Sequence, residues 1–444
     1  MLVEAGFDRF AESECAPYYA SKRGRPSLPP GRYFRMHLVG YFEGIDSERG
    51  LEWRCADSLS LREFLRLGTT ERVPDHSWLS KTRSRLPLEV HEAVFTWVLQ
   101  RLAEHGLLQG ERIGIDASTP PRPSGRVPFG VGSMPLASME ANAALRAIVR
   151  RDSGEGYREM LVRLAQESGI ATPTAEDLIR LDRKRKGKRL SNTEWASPTD
   201  PEARIAKLKD GRTHLAYKPE HAVDLDTGAI VAAEVHPADR GDTATLPGTL
   251  AAAEANLAAV GAAPTPEDPA ELVADKGYHS RDGLKNLEDG AWKSRIAEKK
   301  AAGVHRWRGD EEARRAVYNN RARLRSGVAR EAFRLRAELV ERSFALTLDR
   351  GGMRRAWLRG VENLKKRYLV HVAGYNLGLI MRLLVGAGTP REFLARASAH
   401  LLLLTTDDGA AAILVVATGT EAAMLVVSVQ PEPRDGSRVS STRC

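Results

Sequence analysis

Apolar and polar positions divide this chain into stretches of two periods. Up to about residue 110 the apolar residues recur at helical spacing. Residues 32–42, after Pro29-Pro30, place Phe34, Leu38, Tyr41 and Phe42 on one side; residues 58–67 do the same with Leu59, Leu61, Phe64 and Leu65. A longer amphipathic helix is expected from Leu88 to His105. Between these, Pro74 breaks the chain and Asp75 is placed to cap a short helix that carries Lys81, Arg83 and Arg85. Several small helices with one basic member fit a helix-turn-helix-like DNA-binding unit; a plain helical bundle with a solvated charged face gives the same pattern.

Further along, the period shortens. Ile113-Gly114-Ile115-Asp116-Ala117-Ser118 and Leu272-Val273-Ala274-Asp275-Lys276-Gly277-Tyr278 are apolar runs that end on a carboxylate. Each reads as a buried strand delivering an acid to a sheet end. The Pro- and Gly-rich residues 120–135 exclude a regular helix or a central strand. Helical pattern is expected again from Met139 to Arg146 and, heavily charged, on to Leu181. Residues 212–238 read as a β-hairpin with Asp226-Thr227-Gly228 at the turn, which makes Asp224 and Asp226 turn residues. A helix follows from Thr243 to Leu257, with Asp242 as its cap. Loop and helix are expected from Tyr278 to Trp307, a basic helical section from Glu311 to Leu348, and an apolar helix from Tyr368 to Leu384. Beyond Gly388 the pattern weakens, and residues 430–444 read as a disordered tail. Strand, hairpin, helix, strand, in that order, predicts an α/β fold (α+β overall): a mixed sheet with flanking helices, preceded by an all-helical region.

Charge adds a partner class. The 444 residues hold 67 Lys+Arg against 58 Asp+Glu, a net charge of +9. Such a balance favours polyanions, nucleic acid first among them. Seven of the ten residues 180–189 are Lys or Arg. This run, with Arg183, Lys184, Arg185 and Lys186, is a candidate to order on a phosphate backbone, or else a solvated basic linker. The three cysteines are far apart without a C-x-x-C, so neither a zinc site nor a disulfide framework is signalled and a reducing, cytoplasmic setting is expected. The first residues lack a signal-peptide pattern, and Gly419 and Glu421 interrupt the apolar stretch 410–429, so no membrane partner is expected.

Candidate chemistry follows from three acids. Phosphodiester cleavage needs an activated oxygen nucleophile and a stabilised leaving oxygen, which two divalent ions about 4 Å apart supply together. Mg²⁺ (or Mn²⁺) takes hard oxygen ligands and keeps several waters, so a few carboxylates suffice. Asp116 and Asp275 at strand ends and Glu341 in a basic helical stretch form such a set. Singly, each has an ordinary role open to it: a strand-end Asp caps the next helix, and a Glu in a charged helix pairs on the surface.

The set also has familiar surroundings. Val73-Pro74-Asp75-His76-Ser77-Trp78-Leu79-Ser80, Gly114-Ile115-Asp116-Ala117-Ser118, Ala274-Asp275-Lys276-Gly277-Tyr278, Val340-Glu341-Arg342-Ser343-Phe344, Gly351-Gly352-Met353-Arg354-Arg355 and Leu358-Arg359-Gly360 occur in this order. With the Ala373-Gly374-Tyr375-Asn376-Leu377 helix, they make residues 7–391 resemble the DDE transposases of bacterial insertion sequences. The resemblance implies an RNase H-like catalytic domain, with Asp116, Asp275 and Glu341 as first, second and third catalytic acids. It further implies two Mg²⁺ or Mn²⁺ ions, double-stranded DNA (element ends and target) as partner, a homodimer or larger synaptic assembly, and a nucleoid-associated location. The family places Tyr and Arg before the Glu and a basic residue seven after it. Here the residue four before is Ala337 and the one seven after is Leu348, so Arg334, Arg336 and Arg342 are left to supply the charge, with Glu338 as the fallback acid. Expected domains are a helical DNA-binding region at 1–110, a catalytic domain at 111–390 with a large insertion at about 120–212, and a poorly defined tail at 391–444. The expected function is metal-dependent cleavage and strand transfer of an insertion sequence; a non-catalytic DNA-binding relic or a related endonuclease is the alternative.

Overall fold

The computed structural model describes the chain except residues 1, 3, 21–26, 118–138, 186–189, 208–212, 300–306, 308, 397–411, 419–420 and 428–444. Residues up to Leu377 form one unit and those from Gly378 a second.

Among the described residues, six α-helices open the first unit: α1 (Phe7–Cys15), α2 (Pro30–Glu43), α3 (Glu48–Ala56), α4 (Leu59–Phe64), α5 (His76–Arg85) and α6 (Leu88–Glu104). Local sequence starts several of them. Ser47, Ser58 and Asp75 each accept backbone N–H groups of the first turn, so the donors that a helix start leaves unpaired are satisfied. The apolar faces meet in a core where the rings of Phe7, Phe34 and Trp97 contact edge to face.

The sheet follows in chain order: β1 (Arg112–Ala117), β2 (Met139–Glu140), β3 (Val149–Arg150), α7 (Tyr157–Glu167), α8 (Ala175–Lys184), β4 (Trp195–Ala196), β5 (Arg204–Lys207), β6 (Thr213–Asp224), β7 (Ile230–Pro237), α9 (Asp242–Ala259), β8 (Ala270–Ala274), α10 (Arg281–Leu287) and β9 (Trp292–Ile296). Strand β1 lies at the centre, antiparallel to β6 on one side and parallel to β8 on the other; β7 extends the hairpin and β9 extends the parallel edge. Helices α11 (Glu311–Arg325) and α12 (Gly327–Phe344), a π-helical turn at Ala345–Arg350 and α13 (Val361–Val385) complete the order. Ala332 of α12 packs on Val273 and Leu225 of the sheet, with Phe333, Leu335 and Leu339 at the margin of that cluster.

Three expectations need correction. Residues 139–146 are not helix: Met139 and Glu140 pair with Tyr217 and Ala216, and only a single 3-10 turn follows at Leu145–Ala147. Burial of Met139 and Ala141 against the sheet overrides the helical propensity of the Ala-rich stretch. The expected insertion therefore returns to the main sheet at both ends, and between them it holds a small unit of α7, α8 and the β3–β4 pair. Second, β9 falls where loop and helix were expected, because its buried Ser294 and Arg295 hide an apolar signature. Third, Gly241, not Asp242, stands at the N-cap of α9.

Helix α13 joins the helical region to the sheet. The ring of Tyr41 on α2 lies where a Cβ on Gly374 would be, at 2.6 Å, so only glycine admits the approach. Arg367 donates to the Ile45 carbonyl and Lys366 to that of Arg83. The stretch Val361–Arg396 is long and apolar enough to cross a membrane by length and composition, but its residues Leu364 to Leu377, all except Lys365, are buried as a core helix of the first unit. In the second unit, Ala412–Thr418 and Glu421–Val427 pair as antiparallel strands. The expected disordered tail lies outside the described residues.

Four histidines, His37, His91, His221 and His371, are buried. Burial holds each below the ordinary histidine range, His91 at about 4 and His221 at about 3. In the unfolded chain each takes up a proton near 6.5. Their contribution is thus fully present above that pH and is lost below it, at about 1.4 kcal/mol per pH unit for each group, until the folded pKa is passed. Asp116 and Glu234, both raised, offset part of this. Urea midpoints are expected to fall steeply from pH 6.5 to 5; a flat profile there would show the histidines to be protonated in the fold.

Candidate active site

The site is built at the carboxyl ends of β1 and β8. Ile115 pairs with Ala274, so the next residues, Asp116 and Asp275, lie side by side where β8 ends, Asp116 still paired with His221 of β6. The Asp275 carboxylate accepts the N–H of Gly277 at 2.7 Å, which fixes the turn into Lys276–Tyr278. A third carboxylate comes from the first turn of α9. A methyl group at Gly277 would collide with both Asp242 Oδ2 and Asp275 Oδ1, so the two acids crowd one gap.

Asp116 keeps 37% of its side-chain surface exposed, yet protein surrounds most of it. Burial pushes its carboxyl up to about 7, Asp275 and Asp242 adding to the rise and Arg336 opposing it. Arg336, on α12, sits 2.6 Å from Asp116 Oδ2 and donates through Nε to the Ile115 carbonyl at 3.1 Å. Gly114 makes room for it: a Cβ there would meet Leu225 at 2.6 Å and the Arg336 stem at 3.2 Å.

Glu341 lies elsewhere on that helix. It is exposed, and five residues past Arg336 places it about 140° around the helix axis. Glu338, the fallback, is also outward and pairs with Arg334 and Arg342. Among the described residues, no three His, Cys, Asp or Glu side chains are already gathered to hold a metal ion. The donor chemistry at Asp116 and Asp275 nevertheless fits a hard divalent cation. Both are carboxylates with Asp242 close by, and Asp116 is raised in part by its negative neighbours, an excess that a cation would relieve.

Beneath the acids runs a buried polar layer. On β6, Lys218 reaches Asp242 at 3.1 Å and Thr245 at 3.2 Å. Two residues on, Glu220 accepts from Tyr278 at 2.6 Å, from Thr245 at 2.9 Å and from Thr249, with His236 at 3.5 Å. Burial would raise the Glu220 carboxyl, but its donors and Lys218 outweigh burial and hold it below the usual range. Asp242, Lys218 and Glu220 were not singled out as site residues from sequence, whereas Arg336 was named there as one of three arginines left to supply charge near the third acid. Of the three missed, only Asp242 had a signal, as a helix cap; Lys218 and Glu220 become visible once β6 is known to flank β1.

The basic candidates separate. Lys81 and Arg85 are exposed on α5, Arg85 lying 4.9 Å over the ring of Tyr19. Arg83 is buried, its guanidinium held by Glu48 and Ser80, so as placed it cannot meet a phosphate. Arg183 and Lys184 are exposed at the end of α8, and Arg185 is 3.7 Å from Asp182. Lys186 lies outside the described residues.

Two family models match the chain. One, described as a transposase domain (DUF772), covers residues 2–85, and the other, a transposase DDE domain, covers residues 176–377. Together they take in well over half of the sequence. The chain belongs to the DDE transposases. Neither a curated protein nor a solved structure matches it. The DDE domain is an RNase H-like fold, and in this transposase it is the mixed sheet with its helices. Asp275 and Glu341 fall inside the second match, whereas Asp116 precedes it and is tied to the site by its register beside β8. Function in DNA transposition follows from the two domains together.

Proposed function

We propose that this transposase cuts the ends of its element and joins them to target DNA at the carboxyl ends of β1 and β8. The observation that carries this is the placing of Asp116 beside Asp275 within a sheet of the transposase DDE kind. Asp116 and Asp275, with Glu341 by its family motif, would hold two divalent ions, Mg²⁺ or Mn²⁺. When bound, these supply an activated oxygen nucleophile and stabilise the leaving oxygen. The chain's own residues do the rest. The sheet fixes the two aspartates beside each other on neighbouring strands. Arg336 balances Asp116, and Lys218 balances Asp242. Exposed Lys81 and Arg85 on α5, with Arg183 and Lys184 on α8, contact the phosphate backbone, positioning the duplex without reading bases. Synapsis of two element ends calls for two copies of the chain. Residues 1–110 act as the DNA-binding region and 111–390 as the catalytic domain, with 391–444 a poorly defined C-terminal tail.

The test is incubation with a labelled terminal-repeat duplex, a target plasmid and Mg²⁺. Joined products are expected; cleavage alone would make the protein an endonuclease, and binding without cleavage a relic. In the same assay Glu341→Gln and Asp242→Asn separate the two candidates for the third acid. Loss in the first with activity in the second keeps Glu341, and the reverse replaces it with Asp242.

A further inference from the structure

A fully buried glutamate needs a reason, because removing its charge from water costs several kcal/mol unless donors replace the water. Glu220 has those donors, and they are not scattered. Tyr278 stands three residues after Asp275, and Thr245 three residues after Asp242; Thr249 is one turn further along the same helix. His236 approaches from the neighbouring strand β7. Glu220 itself is the β6 partner of Ala117, the residue after Asp116. One carboxylate thus ties together the three segments that carry the acids at the site. Lys218, on the same face of β6, adds a direct hold on Asp242.

We infer that Glu220 is a positioning residue for the active site: through Tyr278, Thr245 and Thr249 it sets the separation of Asp275 and Asp242 near Asp116. It touches no reacting atom. Its role rests on the reading of Asp116 and Asp275 as cation-holding acids, and it works as an outer shell to them. Outer partners of metal-holding groups typically cost 10- to 100-fold in metal affinity when removed.

The experiment titrates the full-length protein with Mn²⁺ alone, followed by electron paramagnetic resonance, and measures thermal midpoints and, on the terminal-repeat duplex, kcat and KM. The variants are Glu220→Gln, Tyr278→Phe and Asp116→Asn. Tyr278→Phe removes a single hydroxyl and is the safeguard should Glu220→Gln fold poorly. Mn²⁺ affinity is expected to fall about tenfold or more in Glu220→Gln and in Tyr278→Phe, with kcat reduced and KM for DNA unchanged. A lowered thermal midpoint with Mn²⁺ affinity and kcat at wild-type values in Tyr278→Phe would overturn the inference and leave Glu220 a structural residue. Wild-type Mn²⁺ affinity in Asp116→Asn would instead overturn the underlying reading of the site. Loss there together with retention in Tyr278→Phe condemns the positioning role alone.

Discussion

Asp116→Asn is expected to abolish strand cleavage, lowering the rate about a thousandfold or more, equivalent to about 4 kcal/mol of transition-state stabilisation. DNA binding and the thermal midpoint should stay near wild type. Asparagine keeps the shape of the side chain and an oxygen for Arg336, but it removes the charge that a divalent cation requires. The measurement is single-turnover cleavage of a terminal-repeat duplex beside a gel-shift titration. Cleavage at the wild-type rate would remove Asp116 from the chemistry, and with it the central place of β1. Loss of DNA binding or of the fold would show that the carboxylate is structural instead.

Arg83→Ala is expected to unfold the helical region, not to soften its grip on DNA. Arg83 and Glu48 are 7% and 12% exposed, and removing one partner leaves the other charge buried without its counter-ion. Such a break costs about 3–5 kcal/mol. Lys81, two residues earlier and exposed, should behave in the opposite way. Lys81→Ala would leave the thermal midpoint unchanged, weaken binding to all DNA sequences, and lower the slope of log affinity against log salt by about one. Denaturant melts and salt titrations on both variants separate the roles. Equal stability with a reduced salt slope in Arg83→Ala would return that residue to the DNA surface.

These contrasts show where the sequence is legible. Strand-end acids announce themselves because an apolar run stops at a charge, so β1, β8, Asp116 and Asp275 could be read directly. Caps are equally local: Asp75 accepts the N–H groups of Ser77 and Trp78, as its position before a short helix implied. Burial of a charged side chain is not local. Nothing in Lys81-Thr82-Arg83-Ser84-Arg85 distinguishes the middle arginine, because Glu48, which neutralises it, lies on another helix. Strand β9 was lost for the same reason, since Arg295 is satisfied by Glu271 of β8 and by the Arg323 carbonyl of α11. Asp242 misled in a further way. A capping residue and an acid aimed at the sheet look alike in sequence, and Lys218 on β6 is what separates the two. Glu341 was expected as a third acid from its neighbours in sequence and not from any period, and its outward placement on α12 had no signature in the chain.

Gly374 carries a consequence for how such genes can be rearranged. The ring of Tyr41, from the part of the chain matched as the N-terminal transposase domain, fills the space beside a helix that belongs to the DDE match. The two matched regions are therefore not interchangeable cassettes. A recombinant that takes its first hundred residues from one relative and its sheet from another inherits a new face opposite residue 374, and it survives only if that face also leaves room for glycine's missing side chain to be filled. Inheritance of the two matched regions is linked by this packing, so substitutions at Tyr41 and Gly374 should change in concert among descendants.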